Sequence, residues 1–283
     1  MRMLLPIAAA LLVPAAPVFA DHHAGPAAAP PARATVQAMS AALAHPRRAA
    51  DKARDVWRHP AETLEFFKVD PGMTVVDYMP SGGWYTRVLV PFLGPNGRYI
   101  GVNPDVRAAP ERMQQSYGAM AQSFPAKAAE WTGVPAARIG AYNTDSLPAD
   151  LNGTVDRVLI FREMHNLHRM GMMHRELTAM RGLLKDSGLL GIVQHRAKAD
   201  APAAYTDGSK GYMREKDVIA LVEAHGFELI GKSEINANSN DPANHADGVW
   251  TLPPNYRLGD KDRARYAAIG ESDRMTLLFR KRS

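Results

Sequence analysis

The chain has 283 residues, 46% of them hydrophobic and 22% charged, which is enough for one large core and close to ordinary globular composition. It has no cysteine, which excludes a disulfide scaffold, a thiolate zinc or iron–sulfur site and a cysteine nucleophile. With 34 basic and 29 acidic residues the net charge is +5; no dense Lys/Arg block or aromatic-interleaved basic stripe is present, so nucleic acid is not an expected partner, whereas an anionic small molecule is compatible with the surface.

Residues 1–20 (MRMLLPIAAALLVPAAPVFA) place Arg2 before an apolar run from Met3 to Leu12 and end in Val18-Phe19-Ala20. That is the three-part pattern of a secretory signal peptide. The run is short for a membrane span and is interrupted by Pro6, Pro14 and Pro17. The expectation is export to a bacterial periplasm, cleavage before Asp21, and no membrane span afterwards. Residues 21–36 are Ala/Pro-rich and aperiodic, and they read as a linker. His22 and His23 within it read as solvated tail residues. A single domain is expected over 37–283.

Helical patterning covers 37–56, with a break at Pro46, and resumes at Pro60 in the first turn of a helix through Phe67. Asp70-Pro71-Gly72 turns into a strand over 73–78. Pro80-Ser81-Gly82-Gly83 follows, then a helix over 84–93 with Tyr85, Val88, Leu89 and Phe92 on one face. Gly94–Gly97 turns into a strand over 98–102. Strand, glycine turn, helix and strand within about thirty residues make one βαβ unit, which requires a parallel sheet and a right-handed crossover. A helix follows over 110–124, with strands at 156–161 and 189–193. Between them the helix 170–184 carries methionines at helical spacing, read as core filler. A helix over 216–225 stops at Gly226. The strands 227–235 and 275–280 pair antiparallel and close the sheet. Between them Asn236–Leu258, with Trp250 and Tyr256, is a long insertion suited to a lid or substrate wall. Asp273 and Arg274 are expected to pair.

In an open parallel sheet the ligand sits beyond the carboxyl ends of the strands. The turn 80–83 is therefore the first candidate site, because glycines admit close approach and the next helix offers free N–H groups. It could also be a plain βα turn. Beyond the strand 156–161, Glu163, His165 and Asn166 are candidate catalytic residues. His165 could serve as a base because imidazole titrates near neutrality. His195 and Arg196 end the next strand on the same rim and could hold an anionic acceptor. Each of these could instead cap a helix or pair with a neighbour. His165, His168 and His174 lack the H-E-x-x-H pattern, begin in an expected loop, and are not read as a metal site. Arg58 and His59 either fold over the ligand or make caps and salt bridges.

The stretch VVDYMPSGGWYTRVLVPFLGPNGRYIGVNPD resembles the first βαβ unit of class I S-adenosylmethionine-dependent methyltransferases. It is more closely similar to a bacterial exported family of predicted methyltransferases with a P-x-G-G-W-Y-T turn. The likeness continues in LKDSGLLGIVQHRA and in the tail GFELIGKSEINANSNDPAN…GESDRMTLLFRKR, and spans roughly residues 50–283. It implies a doubly wound α/β fold with a mostly parallel seven-stranded sheet and an antiparallel C-terminal strand. It also implies methyl transfer from S-adenosylmethionine to a small-molecule or envelope acceptor. The cofactor positions it carries over are Asp77, Pro80, Ser81, Gly82, Gly83, Trp84 and Tyr85 around the turn. Asn103 falls at the ribose position, and Asp145 and Ser146 at the adenine position. Two departures stand out. Met79 and Ser81 occupy two of three alternating glycine positions, and Asn103 stands where a carboxylate is usual. They leave a second reading open: a methyltransferase fold that binds a ligand in the periplasm without transferring methyl groups.

Overall fold

The computed structural model describes residues 32–107 and 111–282. The expected signal peptide, His22 and His23 lie outside the described residues. The first helix, Arg33–Ala44, begins inside the segment read as linker. Its buried Met39 and Ala42 pack on the hydrophobic cluster behind the sheet, which makes the end of that alanine-rich segment helical.

Seven strands form one sheet: β1 (Thr74–Tyr78), β2 (Arg98–Asn103), β3 (Ile139–Asn143), β4 (Val155–Phe161), β5 (Leu184–His195), β6 (Phe227–Ser233) and β7 (Arg274–Lys281). Their order is β3-β2-β1-β4-β5-β7-β6. The pairs among β1 to β5 are parallel, and β7 runs antiparallel between β5 and β6. This is the doubly wound α/β sheet with an antiparallel C-terminal strand expected from the sequence. The strand that the apolar pattern does not announce is β3. Ile-Gly-Ala-Tyr-Asn has one β-branched residue and a glycine, and as an edge strand it is only partly buried. Pairing with β2 supplies what its own residues do not.

Strand alternation sends side chains to two layers. Val76, Tyr78, Val158, Ile160, Leu190 and Ile192 face one core, shared with helices Met173–Leu183 and Glu215–Glu223. Val75, Tyr99, Leu159, Phe161 and Val193 face the other, shared with helices Arg33–Ala44, Pro60–Phe66, Thr86–Leu93 and Met120–Thr132. Two expectations change. The helical stretch read over 110–124 is two helices, Glu111–Gly118 and Met120–Thr132, the second ending at Gly133 in the left-handed conformation. The segment after β4 is a short helix, Met164–Arg169, rather than a loop, because Met164 and Leu167 bury against the core.

Candidate active site

From β1 the chain runs outward to β2 and β3, then returns to β4 on the other side of β1. The carboxyl ends of β1 and β4 therefore open a crevice at a topological switch point. A cavity of about 460 Å³ sits there, within the size range of small-molecule sites. Its walls come from the turn after β1, the ends of β4 and β5, the N-terminal Asp51–Arg58 segment, the insertion residues Val249, Trp250 and Pro253–Asn255, and Glu271-Ser272.

The turn after β1 has an alternating left-handed backbone: φ is +53° at Met79, +50° at Ser81 and +72° at Gly83. Two of the three are not glycine, and each of those costs about 1–2 kcal/mol. Met79 N–H donates to the Val102 carbonyl at 2.7 Å and Gly83 N–H to the Pro80 carbonyl at 2.9 Å, which holds the turn. Met79 is buried in the core layer while also touching the cavity. An added Cβ at Gly82 would meet nothing within 4 Å, whereas one at Gly83 would overlap the Trp131 ring. Gly82 thus borders open space and Gly83 is needed for packing. Arg87 ties the turn to the N-terminal segment, donating to the Gly82 carbonyl at 3.0 Å and to Asp51 Oδ1 at 2.9 Å.

Asp77 accepts a hydrogen bond from Tyr99 Oη at 2.8 Å, and Tyr99 in turn shares one with Thr86 at 2.8 Å. Burial pushes the Asp77 carboxyl up to about 7, against the opposing pull of Tyr99 and Arg162. On the β4 side, Asn166 Nδ2 donates to Glu163 Oε2 at 2.6 Å. Burial raises Glu163 to about 7, opposed by that hydrogen bond and by Arg162. Burial lowers His165 to about 4 and lowers His195 strongly, helped by His165 and nearby arginines. Both imidazoles are therefore neutral at physiological pH. Their ring centroids are 5.7 Å apart, and the Trp250 ring meets His165 at an interplanar angle of 66° with centroids 5.8 Å apart. His195 Nδ1 is 2.6 Å from Ser272 Oγ.

Of the residues expected from the sequence, the cavity gathers Asp77, Pro80, Ser81, Gly82, Trp84, Tyr85, Glu163, His165, Asn166 and His195. Gly83, Asn103, Asp145 and Ser146 are not on its wall. Asn103 ends β2 fully buried, with both amide atoms lacking a hydrogen-bond partner. Asp145 lies 3.4 Å from Arg107 Nε, and Ser146 Oγ donates to the Asn143 carbonyl at 3.1 Å. Arg196 is not a free anion ligand: it pairs with Asp273, Glu234 and Glu215. The expected Asp273–Arg274 pair is replaced by Asp273–Arg196 and Arg274–Glu271, because β7 sends neighbouring side chains to opposite faces. Arg58 does line the cavity and is 2% exposed.

Sequence reasoning missed Asp51, Arg54, Arg87, Arg162, Glu271 and Ser272 as cavity residues. Arg54 and Glu271 meet across 217 positions of sequence at 2.6 Å, and no local pattern signals such a pairing. The left-handed Arg162, with φ +65°, gives no sequence signal either.

No family model matches the chain, and no curated protein matches it in sequence. Solved structures do match its fold. The [4+2]-cyclase SpnF is 17% identical, with 84% of this chain and 86% of that one covered, at a TM-score of 0.51. A SAM dependent methyltransferase from Aquifex aeolicus is 18% identical, covering 65% and 87%, at 0.45. The mitomycin 7-O-methyltransferase MmcR is 15% identical, covering 86% and 60%, at 0.44. The likeness to SpnF is one of fold.

Proposed function

We propose that the chain is an exported S-adenosylmethionine-dependent methyltransferase acting on a small-molecule acceptor in the bacterial periplasm. The observation that carries this reading is the turn after β1. Its left-handed backbone at Met79, Ser81 and Gly83 is kept without glycine at two of those positions, and local strain of that kind concentrates at functional sites.

The residues on the cavity wall fit the cofactor's amino-acid end. Asp77 and the turn Pro80–Gly82, walled by Trp84 and Tyr85, would hold its amino-acid end. Asn103, Asp145 and Ser146 would serve the nucleoside by resemblance. Asn103 keeps a buried amide without a partner, but it, Asp145 and Ser146 lie off the cavity wall. When bound, S-adenosylmethionine supplies an electrophilic methyl group. The chain's own part is to orient the acceptor and take its proton. Glu163, raised to about 7 and oriented by Asn166, is suited to hold that proton, whereas His165, expected from the sequence as the base, is lowered to about 4 and stays neutral beside it, with His195 oriented by Ser272.

A second reading is favoured by one specific observation: Asn103 and Asp145 stand apart from the cavity. The protein would then bind a ligand in a methyltransferase fold without transferring a methyl group. The fold alone does not choose between them, since SpnF is named a cyclase. The test is calorimetric titration of S-adenosylmethionine and S-adenosylhomocysteine into wild type and Gly82→Val. Wild type should bind both, and the variant should stay folded but bind at least tenfold more weakly. Equal affinities would remove the turn from the site.

A further inference from the structure

We infer that the cavity holds an oxyanion seat on Arg162 and Arg58, and that the acceptor is a small molecule bearing a carboxylate or phosphate group. The acceptor assignment rests on the methyltransferase reading; the seat does not.

Glu271 accepts from Arg54 at 2.6 Å, from Arg58 at 3.0 Å and from Arg274 at 3.1 Å. Burial alone would raise its carboxyl, but Arg274, Arg58 and Arg54 outweigh that and hold it at about 2. Glu271 is therefore fully ionised, one negative charge among four guanidiniums, three hydrogen-bonded to it and Arg162 acting on it through space. Arg162 lines the same cavity and has no hydrogen bond or ion pair from its side chain among the described residues. It is near enough to act on Arg58, whose own ionisation is lowered by burial first and by Arg162 next. Arg58 is 2% exposed, stacks over Trp84 at 4.7 Å and leaves Nη1 without a partner.

Guanidiniums in a wall short of counterions are costly. Glu271 acts on the half-buried Arg162 as well, but it is shared with Arg54, Arg58 and Arg274. Arg87 and Asp51 neutralise each other. Asp77 and Glu163 face Arg162 but make no hydrogen bond to it, and with pKa values of about 7 each carries only part of a charge near neutrality. S-adenosylmethionine brings one carboxylate, but with its sulfonium and ammonium it adds net positive charge to the cavity and leaves the deficit in place. We therefore assign the compensating anion to the other ligand. Planar guanidinium forks take carboxylate and phosphate oxygens in pairs.

The experiment titrates inorganic phosphate and, separately, citrate into the purified protein by calorimetry at constant ionic strength set with chloride. Wild type, Arg162→Gln and S-adenosylmethionine-saturated wild type are compared. Wild type should bind at least one anion in the submillimolar range, and the tighter of the two identifies the group. Arg162→Gln should bind at least tenfold more weakly. In anion-free buffer that variant should also melt about 2–4 °C higher, because an unpaired charge has left a desolvated wall. Wild-type affinity in Arg162→Gln, or a lowered melting temperature with anion binding kept, would overturn the seat. Loss of anion binding on saturation with S-adenosylmethionine would give the seat to the cofactor's carboxylate and overturn the acceptor assignment. If S-adenosylmethionine does not bind but the Arg162-dependent anion does, the seat stands and the methyltransferase reading fails.

Discussion

Tyr85 stacks flat on Phe161, with ring centroids 3.5 Å apart and planes within 8°. One ring follows the β1 turn and the other ends β4, so this contact joins the two strands whose divergence opens the cavity. Trp84 meets Tyr85 edge-on at 4.8 Å and carries Arg58 on its face. The cavity floor is thus one aromatic unit running from β4 to the N-terminal segment. Phe161→Ala should destabilise the protein by about 3–5 kcal/mol, measured by urea unfolding. A loss below about 1 kcal/mol would mean that the stack does not hold the two strands together.

Gly82 and Gly83 should separate cleanly. Gly83→Ala puts a Cβ into Trp131 and forces a side chain onto φ +72°; the expected loss is about 2–4 kcal/mol. Gly82→Ala meets open space and should unfold within about 0.5 kcal/mol of wild type. Equal losses in the two variants would contradict the assignment of Gly83 to packing and Gly82 to the cavity.

Asp77 gives a pH signature with a definite sign. Its folded pKa of about 7 lies above the usual carboxylate value, so between about pH 4 and 7 the folded state holds the proton that the unfolded state releases. Stability from this group therefore falls as pH rises through that window. Asp77→Asn keeps an acceptor for Tyr99 and removes the charge. It should melt higher than wild type at pH 8, by at least about 2–4 °C, with the difference shrinking at pH 5. A destabilised Asp77→Asn at pH 8 would show that the ionised carboxylate is favourable where it lies.

Glu163 shares that window. A ligand of net positive charge should bind more tightly as Asp77 and Glu163 ionise, so affinity for S-adenosylmethionine should rise between pH 6 and 8. His165 and His195 do not contribute to that rise, since both stay neutral across it. Glu163→Gln should flatten the profile, as read by calorimetry at pH 6, 7 and 8. A wild-type slope in that variant would remove Glu163 from the cofactor's surroundings.

The parts of the fold legible in the sequence are those whose residues carry their own signal. Strands β1, β2, β4 and β5 are apolar runs bounded by turns. The turn 80–83 is readable because it lies between two of them. Strand β3 is not, because its stability comes from β2 rather than from Ile139–Asn143 themselves. In the site, Glu163, His165, Asn166 and His195 follow from strand ends alone. Arg54, Arg58 and Glu271 come together through the packing of Trp57 and Arg274 near the start of β7, with Arg274 Nη2 donating to the Trp57 carbonyl at 2.7 Å. Such pairings depend on tertiary assembly, and so does the diversion of Arg196 from the cavity into three carboxylates.

The most direct measurement is thermal unfolding of the purified protein with S-adenosylmethionine and with S-adenosylhomocysteine at pH 8. A ligand at a hundred times its dissociation constant stabilises by about 2.7 kcal/mol, a rise on the order of 5–10 °C for a domain of this size. The methyltransferase account predicts that rise with both compounds and its loss in Gly82→Val. No shift with either at millimolar concentration would contradict it and leave a fold of this kind used for binding something else.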